Sequence, residues 1–152
     1  MKLSEIIDKE SIITELRAKD KKGVLEELAL AVASREPAVD SAALVRVLLE
    51  RERLGSTGIG DGVAIPHGKL SGLTQPIISF GRSTQGLDFD SMDGQPAYLF
   101  FLLVAPENST SVHLKALAKI ARILRSSAFR QKLMEARTKE ELYRAIVETD
   151  EE

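Results

Sequence analysis

The chain has 152 residues, 43% of them hydrophobic and 29% charged, and its 21 basic and 23 acidic side chains leave a formal charge of -2. That is the make-up of an ordinary globular domain, which excludes a largely disordered chain and leaves neither a polyanion-binding surface nor an acidic tail dominant. Cysteine is absent, so disulfides, thiol nucleophiles and cysteine-ligated metals are excluded, and the only two histidines are His67 and His113.

Met1 to Lys9 interrupts its apolar residues with Glu5 and Asp8 and does not read as a signal peptide. A first helix is predicted from near Asp20, with Leu25, Leu28, Ala29 and Val32 at helical spacing before Arg35-Glu36-Pro37 stops it. A second is predicted from Asp40 as N-cap, with Val39 and Leu44 as a hydrophobic staple, ending at Gly55. On it Leu44, Val47, Leu48 and Arg51 share a face, so Arg51 stands out as a cation on an apolar stripe.

Gly55, Gly58, Gly60 and Gly62 then punctuate an irregular stretch, followed by predicted strands over Pro76 to Phe80 and Tyr98 to Ala105. The second is apolar throughout, which implies burial of both faces, and it is too short to cross a bilayer as a helix. Leu87 and Phe89 read as a further short strand before the Asp93-Gly94 turn. A third helix is predicted from Ser111, pointing Leu114, Leu117, Ala118, Ala121 and Leu124 at the core, and Ser126-Ser127 ends it. A short helix through Met134 follows, then a terminal helix with Leu142, Ile146 and Val147 behind a Thr138/Glu141 capping box. Glu148 to Glu152 reads as a frayed end. The sum is one α/β domain over 1–152, with a central mixed sheet flanked by layers of helices.

The chemistry concentrates at Ile65-Pro66-His67-Gly68. Proline fixes its own φ and pushes Ile65 toward an extended conformation, and Gly68 is expected to turn the chain after His67. A neutral imidazole has a free lone pair near neutral pH and can accept and release a phosphoryl group. Arg51 can pair with phosphoryl oxygens. His113, in the first turn of the third helix, sits where the helix dipole favours an anion. The glycine-rich backbone is a further source of N–H donors, although Gly58-Ile59-Gly60-Asp61-Gly62 matches neither a P-loop nor a dinucleotide fingerprint.

Bland readings compete with each of these. His67 and His113 can be turn or packing residues, Arg51 a helix cap or salt-bridge partner, and Ser56 and Thr57 can serve the backbone alone. Asp61, Asp88, Asp90 and Asp93 lack a metal-ligand or calcium-loop spacing and read as turn and surface carboxylates, so no metal and no cofactor is expected. No nucleophile-elbow pattern supports a serine triad. Lys19-Asp20-Lys21-Lys22 reads as a solvated helix start, and with scattered aromatics no direct nucleic-acid binding is expected.

The run Arg51-Glu52-Arg53-Leu54-Gly55-Ser56-Thr57-Gly58-Ile59-Gly60-Asp61-Gly62-Val63-Ala64-Ile65-Pro66-His67-Gly68-Lys69 closely resembles the nitrogen-related EIIA branch of the phosphoenolpyruvate-dependent phosphotransferase system. The resemblance continues through Gly86-Leu87-Asp88-Phe89-Asp90, Tyr98 to Leu103, His113-Leu114 and the terminal helical pattern, covering essentially the whole chain. It implies that His67 is the phosphoacceptor, Arg51 its supporting arginine and His113 the second active-site histidine. It also implies a cytoplasmic phosphorelay protein, a protein-histidine phosphotransferase component charged by an HPr-like or nitrogen-related phosphocarrier and acting on a regulatory protein target. Fructose- and mannitol-type EIIA domains share much of the His67 region, so the alternative is delivery to a sugar-system EIIB component. The chain's standalone length and its Gly-Ser-Thr-Gly-Ile-Gly run favour the nitrogen-related branch.

Overall fold

The computed structural model describes residues 2–151. Two short 3-10 turns, Leu3–Glu5 and Lys9–Ser11, precede helices α1 (Lys21–Ala33) and α2 (Ser41–Arg53). Strands β1 (Gly58–Gly60), β2 (Val63–Ala64), β3 (His67–Leu70), β4 (Ile77–Leu87) and β5 (Ala97–Pro106) follow, then α3 (Thr110–Ile123), α4 (Ser127–Glu135) and α5 (Lys139–Glu151). Asp20 caps α1 by accepting from the Gly23 N–H at 2.8 Å. Asp40 occupies the N-cap of α2, but its side chain makes no cap bond, and the buried pair Val39 and Leu44 secures that end through packing.

β5 organises the molecule. It runs parallel to β2 and β3 along one side and antiparallel to β4 along the other, giving the expected mixed sheet. Its alternate residues feed two cores. Leu99, Phe101 and Leu103 join Ile120, Phe129, Leu133 and Leu142 beneath α3, α4 and α5, whereas Phe100, Leu102 and Val104 join Leu25, Leu28, Leu44 and Leu48 beneath α1 and α2. No helix among the described residues is long and apolar enough to cross a membrane.

Four sequence expectations need correction. β4 continues far beyond Phe80, because Arg82 and Ser83 are buried despite their polarity. The Arg82 guanidinium donates to the carbonyls of Thr14, Leu133 and Ala136, tying β4 to the N-terminal segment and to the end of α4. Leu87 is therefore the end of β4 rather than a separate strand, and Phe89 is a buried loop residue beyond it. The inward stripe of α3 is His113, Ala116, Ile120 and Ile123; Leu114 is 60% exposed and Ala118 also faces solvent, while Leu117 and Ala121 are half-buried at the margin. Finally, the acidic end is helical through Glu151, where Asp150 accepts from the Leu3 N–H at 2.7 Å and meets the Lys119 ammonium at 2.7 Å; Glu152 lies outside the described residues.

Candidate active site

β2 and β3 are two halves of one path along β5, with Val63 beside Leu99 and His67 beside Leu103. The break between them is Ile65-Pro66. Proline has no N–H to give, yet its carbonyl still accepts from Leu103 at 3.0 Å, so the path resumes immediately at His67. The Ile65 N–H turns to the Thr57 carbonyl at 3.0 Å, and its own carbonyl lies 2.8 Å from His67 Nδ1. A carbonyl can only accept, so Nδ1 carries the proton of the neutral ring and Nε2 is left with the lone pair.

β3 ends the sheet path, so His67 stands half-buried at an open edge. Arg51 reaches it from the last turn of α2: its Nε–H donates to His67 Nε2 at 3.2 Å, and its Nη1 donates to the Gly55 carbonyl at 2.9 Å. This reach depends on close approach of α2 to β3. A Cβ on Gly68 would lie 2.5 Å from Val47 Cγ1, and Val47 is one helical turn before Arg51 on the same face. Gly68 is thus a strand residue whose missing side chain admits a helix; it does not make the turn expected from sequence.

His113 arrives from the opposite helical layer. Its ring meets that of His67 edge to face, with centroids 5.4 Å apart and planes at 76°. It is only 7% exposed, and its buried Nδ1 has no hydrogen-bond partner among the described residues. The start of α3 is uncapped as well: Ser109 Oγ donates to the Pro106 carbonyl instead of accepting from the helix. Lys69, two residues from His67 on the same face of β3, donates to Thr110 Oγ1 at 3.0 Å. Sequence reasoning missed Lys69 as part of this cluster, and its signal was the two-residue period of a strand.

Both imidazoles are held below the ordinary histidine range. For His67 burial is the main cause and the Arg51 charge adds to it, against the Ile65 hydrogen bond and Glu52, which favour the protonated ring. For His113 burial leads, followed by His67 and Lys69. The result is an imidazole with a free lone pair beside the Arg51 guanidinium, an arrangement that can engage an anionic electrophile.

The structure brings His67, Arg51 and His113 together but leaves the glycine turn aside. Gly60, Asp61 and Gly62 all have positive φ and form the tip of the β1–β2 hairpin. That tip lies beside the Leu99 end of β5, roughly 13 Å in strand rise from the position of His67, so it does not cradle the imidazole. Ser56 Oγ is engaged with the Phe89 carbonyl and the Gly58 N–H, and Thr57 is buried against Glu52. Asp88 and Asp93 accept from nearby loop N–H groups. Among the described residues no cluster of three His, Cys, Asp or Glu side chains is placed to hold a metal.

Comparison with known proteins gives a consistent result. Residues 5–149 match the family described as phosphoenolpyruvate-dependent sugar phosphotransferase system, EIIA 2. The chain is 44% identical over 146 residues to a nitrogen regulatory protein of Bradyrhizobium diazoefficiens, covering 96% of this chain and 95% of the relative. It is 36% identical over 150 residues to the fructose-specific EIIABC component of Bacillus subtilis, where it covers 99% of itself but spans only 24% of that longer protein. The crystal structure of nitrogen regulatory protein IIA-Ntr from Neisseria meningitidis superposes with a TM-score of 0.88 at 37% identity, covering 95% of this chain and 98% of that one.

Proposed function

The chain belongs to the EIIA type 2 family of the phosphoenolpyruvate-dependent phosphotransferase system, and from that premise we propose that it accepts a phosphoryl group on Nε2 of His67 from a histidine phosphocarrier and controls partner proteins by its phosphorylation state. The observation that carries the reading is the ring's fixed polarity, with Nδ1 bound to the Ile65 carbonyl and Nε2 at the open edge facing Arg51.

In the transfer, the Nε2 lone pair attacks phosphorus as the carrier's phosphorus–nitrogen bond breaks, and the electron pair of that bond stays on the carrier's imidazole. His67 need not lose a proton: Nδ1–H is retained, and the Ile65 carbonyl stabilises the positive charge that the ring acquires. Arg51 must leave Nε2 as phosphorus arrives, and the same N–H then meets a phosphoryl oxygen. His113 packs against the His67 ring, and Lys69 follows two residues along β3. Leu54, three residues after Arg51, and Leu114, next to His113, are exposed apolar side chains that a protein donor can cover.

Regulatory output is the preferred reading because the likeness to the nitrogen regulatory relative, at 44% identity, exceeds that to the fructose-specific protein, at 36%. Its rival, delivery to a fructose-type EIIB component, is favoured by the likeness to the Bacillus subtilis protein. The test incubates phosphorylated carrier with wild type and His67→Ala under alkaline work-up, then offers the phosphoprotein to a fructose-type EIIB domain. Acid-labile phosphate on wild type, none on His67→Ala and none passed to EIIB is the expected pattern. Full labelling of His67→Ala would overturn the acceptor, and rapid transfer to EIIB would select the rival.

A further inference from the structure

In the run Glu50-Arg51-Glu52-Arg53, Glu52 is the anomaly. Its side chain is 5% exposed, against 68% for Glu50 and 76% for Arg53. A buried carboxylate must be paired and hydrogen-bonded, and this one uses both oxygens. Oε1 meets the Lys21 ammonium at 2.8 Å and accepts from the Thr57 N–H at 3.1 Å, while Oε2 accepts a short hydrogen bond from the Thr57 hydroxyl. Lys21 in turn lies 4.8 Å from the centre of the Phe89 ring and 3.5 Å from Asp90 Oδ2. One carboxylate thereby joins the start of α1, the end of α2 and the entry to the glycine hairpin.

Two paths lead from that junction to the two nitrogens of His67. In the first, Thr57 held by Glu52 presents its carbonyl to the Ile65 N–H, and the Ile65 carbonyl accepts from Nδ1. In the second, the anchored Thr57 closes the short segment after α2 that carries Gly55, whose carbonyl takes one arm of Arg51 while the other points at Nε2. Gly55, with a φ of +146°, donates its own N–H to the Glu52 carbonyl at 3.1 Å, so it is held between the last turn of α2 and the anchored Thr57.

We infer that Glu52, neutralised by Lys21, is a positioning residue for phosphoryl acceptance: it fixes the Thr57 anchor from which both the tautomer of His67 and the aim of Arg51 are set. Glu52 touches neither the imidazole nor the incoming phosphorus, and acts through Thr57, Ile65, Gly55 and Arg51. The inference rests on the His67 reading; beside these paths the charges of Arg51 and Glu52 act on the His67 ring directly, while the neighbouring His113 ring feels His67 and Lys69.

The test pairs a structural readout with a kinetic one. Long-range proton–nitrogen spectra of the unphosphorylated protein should show His67 as a single Nδ1–H tautomer in wild type and a mixture of tautomers in Glu52→Gln. Phosphoryl acceptance should fall about tenfold or more in that variant, whereas in an Arg51→Ala background the same change should cost clearly less, since only the path to Nδ1 is then left for it to disturb. An amide fingerprint establishes the fold. Should Glu52→Gln not fold, Thr57→Val carries both measurements, because it deletes the hydroxyl bond and keeps the N–H. An unchanged tautomer together with multiplicative losses would overturn the inference. If wild-type His67 takes no phosphoryl group, the proposed function falls, and the tautomer spectrum still decides whether Glu52 sets the ring.

Discussion

At His67 the decisive variable is which nitrogen is bare, and a backbone carbonyl decides it. Burial and Arg51 hold the ring neutral below the usual histidine pKa of about 6.5, so phosphoryl acceptance should persist as pH falls through 6.5 and decline only at more acidic values. A pH series of acceptance rates against the His67 titration by NMR checks this; loss of acceptance with a midpoint at or above 6.5 would contradict it. The linked stability has a definite sign. The unfolded chain takes up protons on its histidines before the folded chain does, so the stability due to burying neutral His67 and His113 is complete above about pH 6.5 and is lost as pH falls through the lower folded values. Arg51→Lys retains a charge but not the guanidinium's divided reach to Gly55 and Nε2. It should therefore slow acceptance almost as much as Arg51→Ala, by roughly ten- to a hundredfold, with the melting temperature little changed.

Among the elements, the contact of α2 with β3 matters most to the site. Gly68→Ala places a methyl against Val47 Cγ1, and such overpacking costs about 1–3 kcal/mol. The expected result in denaturant unfolding is that loss, and in NMR the loss of the Arg51–His67 contact, because a displaced α2 withdraws its last turn. Wild-type stability in Gly68→Ala would show that the helix has room to spare. Much at this scale was legible beforehand. Arg51 lay on the stripe of Leu44, Val47 and Leu48, and the apolar run in β5 implied burial on both faces. The failures have physical causes. A helix can be drawn with more than one apolar stripe, and in α3 the stripe actually buried contains His113, a polar residue that hydrophobic counting discards. β4 was read short because its buried Arg82 finds backbone carbonyls that no sequence window contains, and Arg82→Met should cost roughly 1–3 kcal/mol by leaving them unpaired. Glu52 hides for the opposite reason. Beside Arg51 and Arg53 it looks like one more solvated charge, and only Lys21 and Thr57, brought in by the fold, reveal it as an anchor.

For the whole molecule, two helical layers that pack on opposite faces of the sheet meet at one exposed strand edge, and each contributes a side chain there: Arg51 from one, His113 from the other. The proposed phosphorylation at that edge would add about two negative charges to a surface that carries Arg51 and Lys69. A partner that prefers the unphosphorylated form would be released, and one with basic contacts would be gained. The likeness to EIIA type 2 proteins was readable from the Arg51-to-Lys69 run, whereas the hydrogen bonding that orients the His67 ring was not, because the Ile65 carbonyl and the Pro66 break acquire meaning only beside β5. The most direct test is a nitrogen-15 and phosphorus-31 spectrum of protein charged by its carrier. Phosphorus bonded to Nε2 of His67, with Nδ1 still protonated, is the predicted result; phosphorus on Nδ1 of that ring, or on His113, would contradict the account.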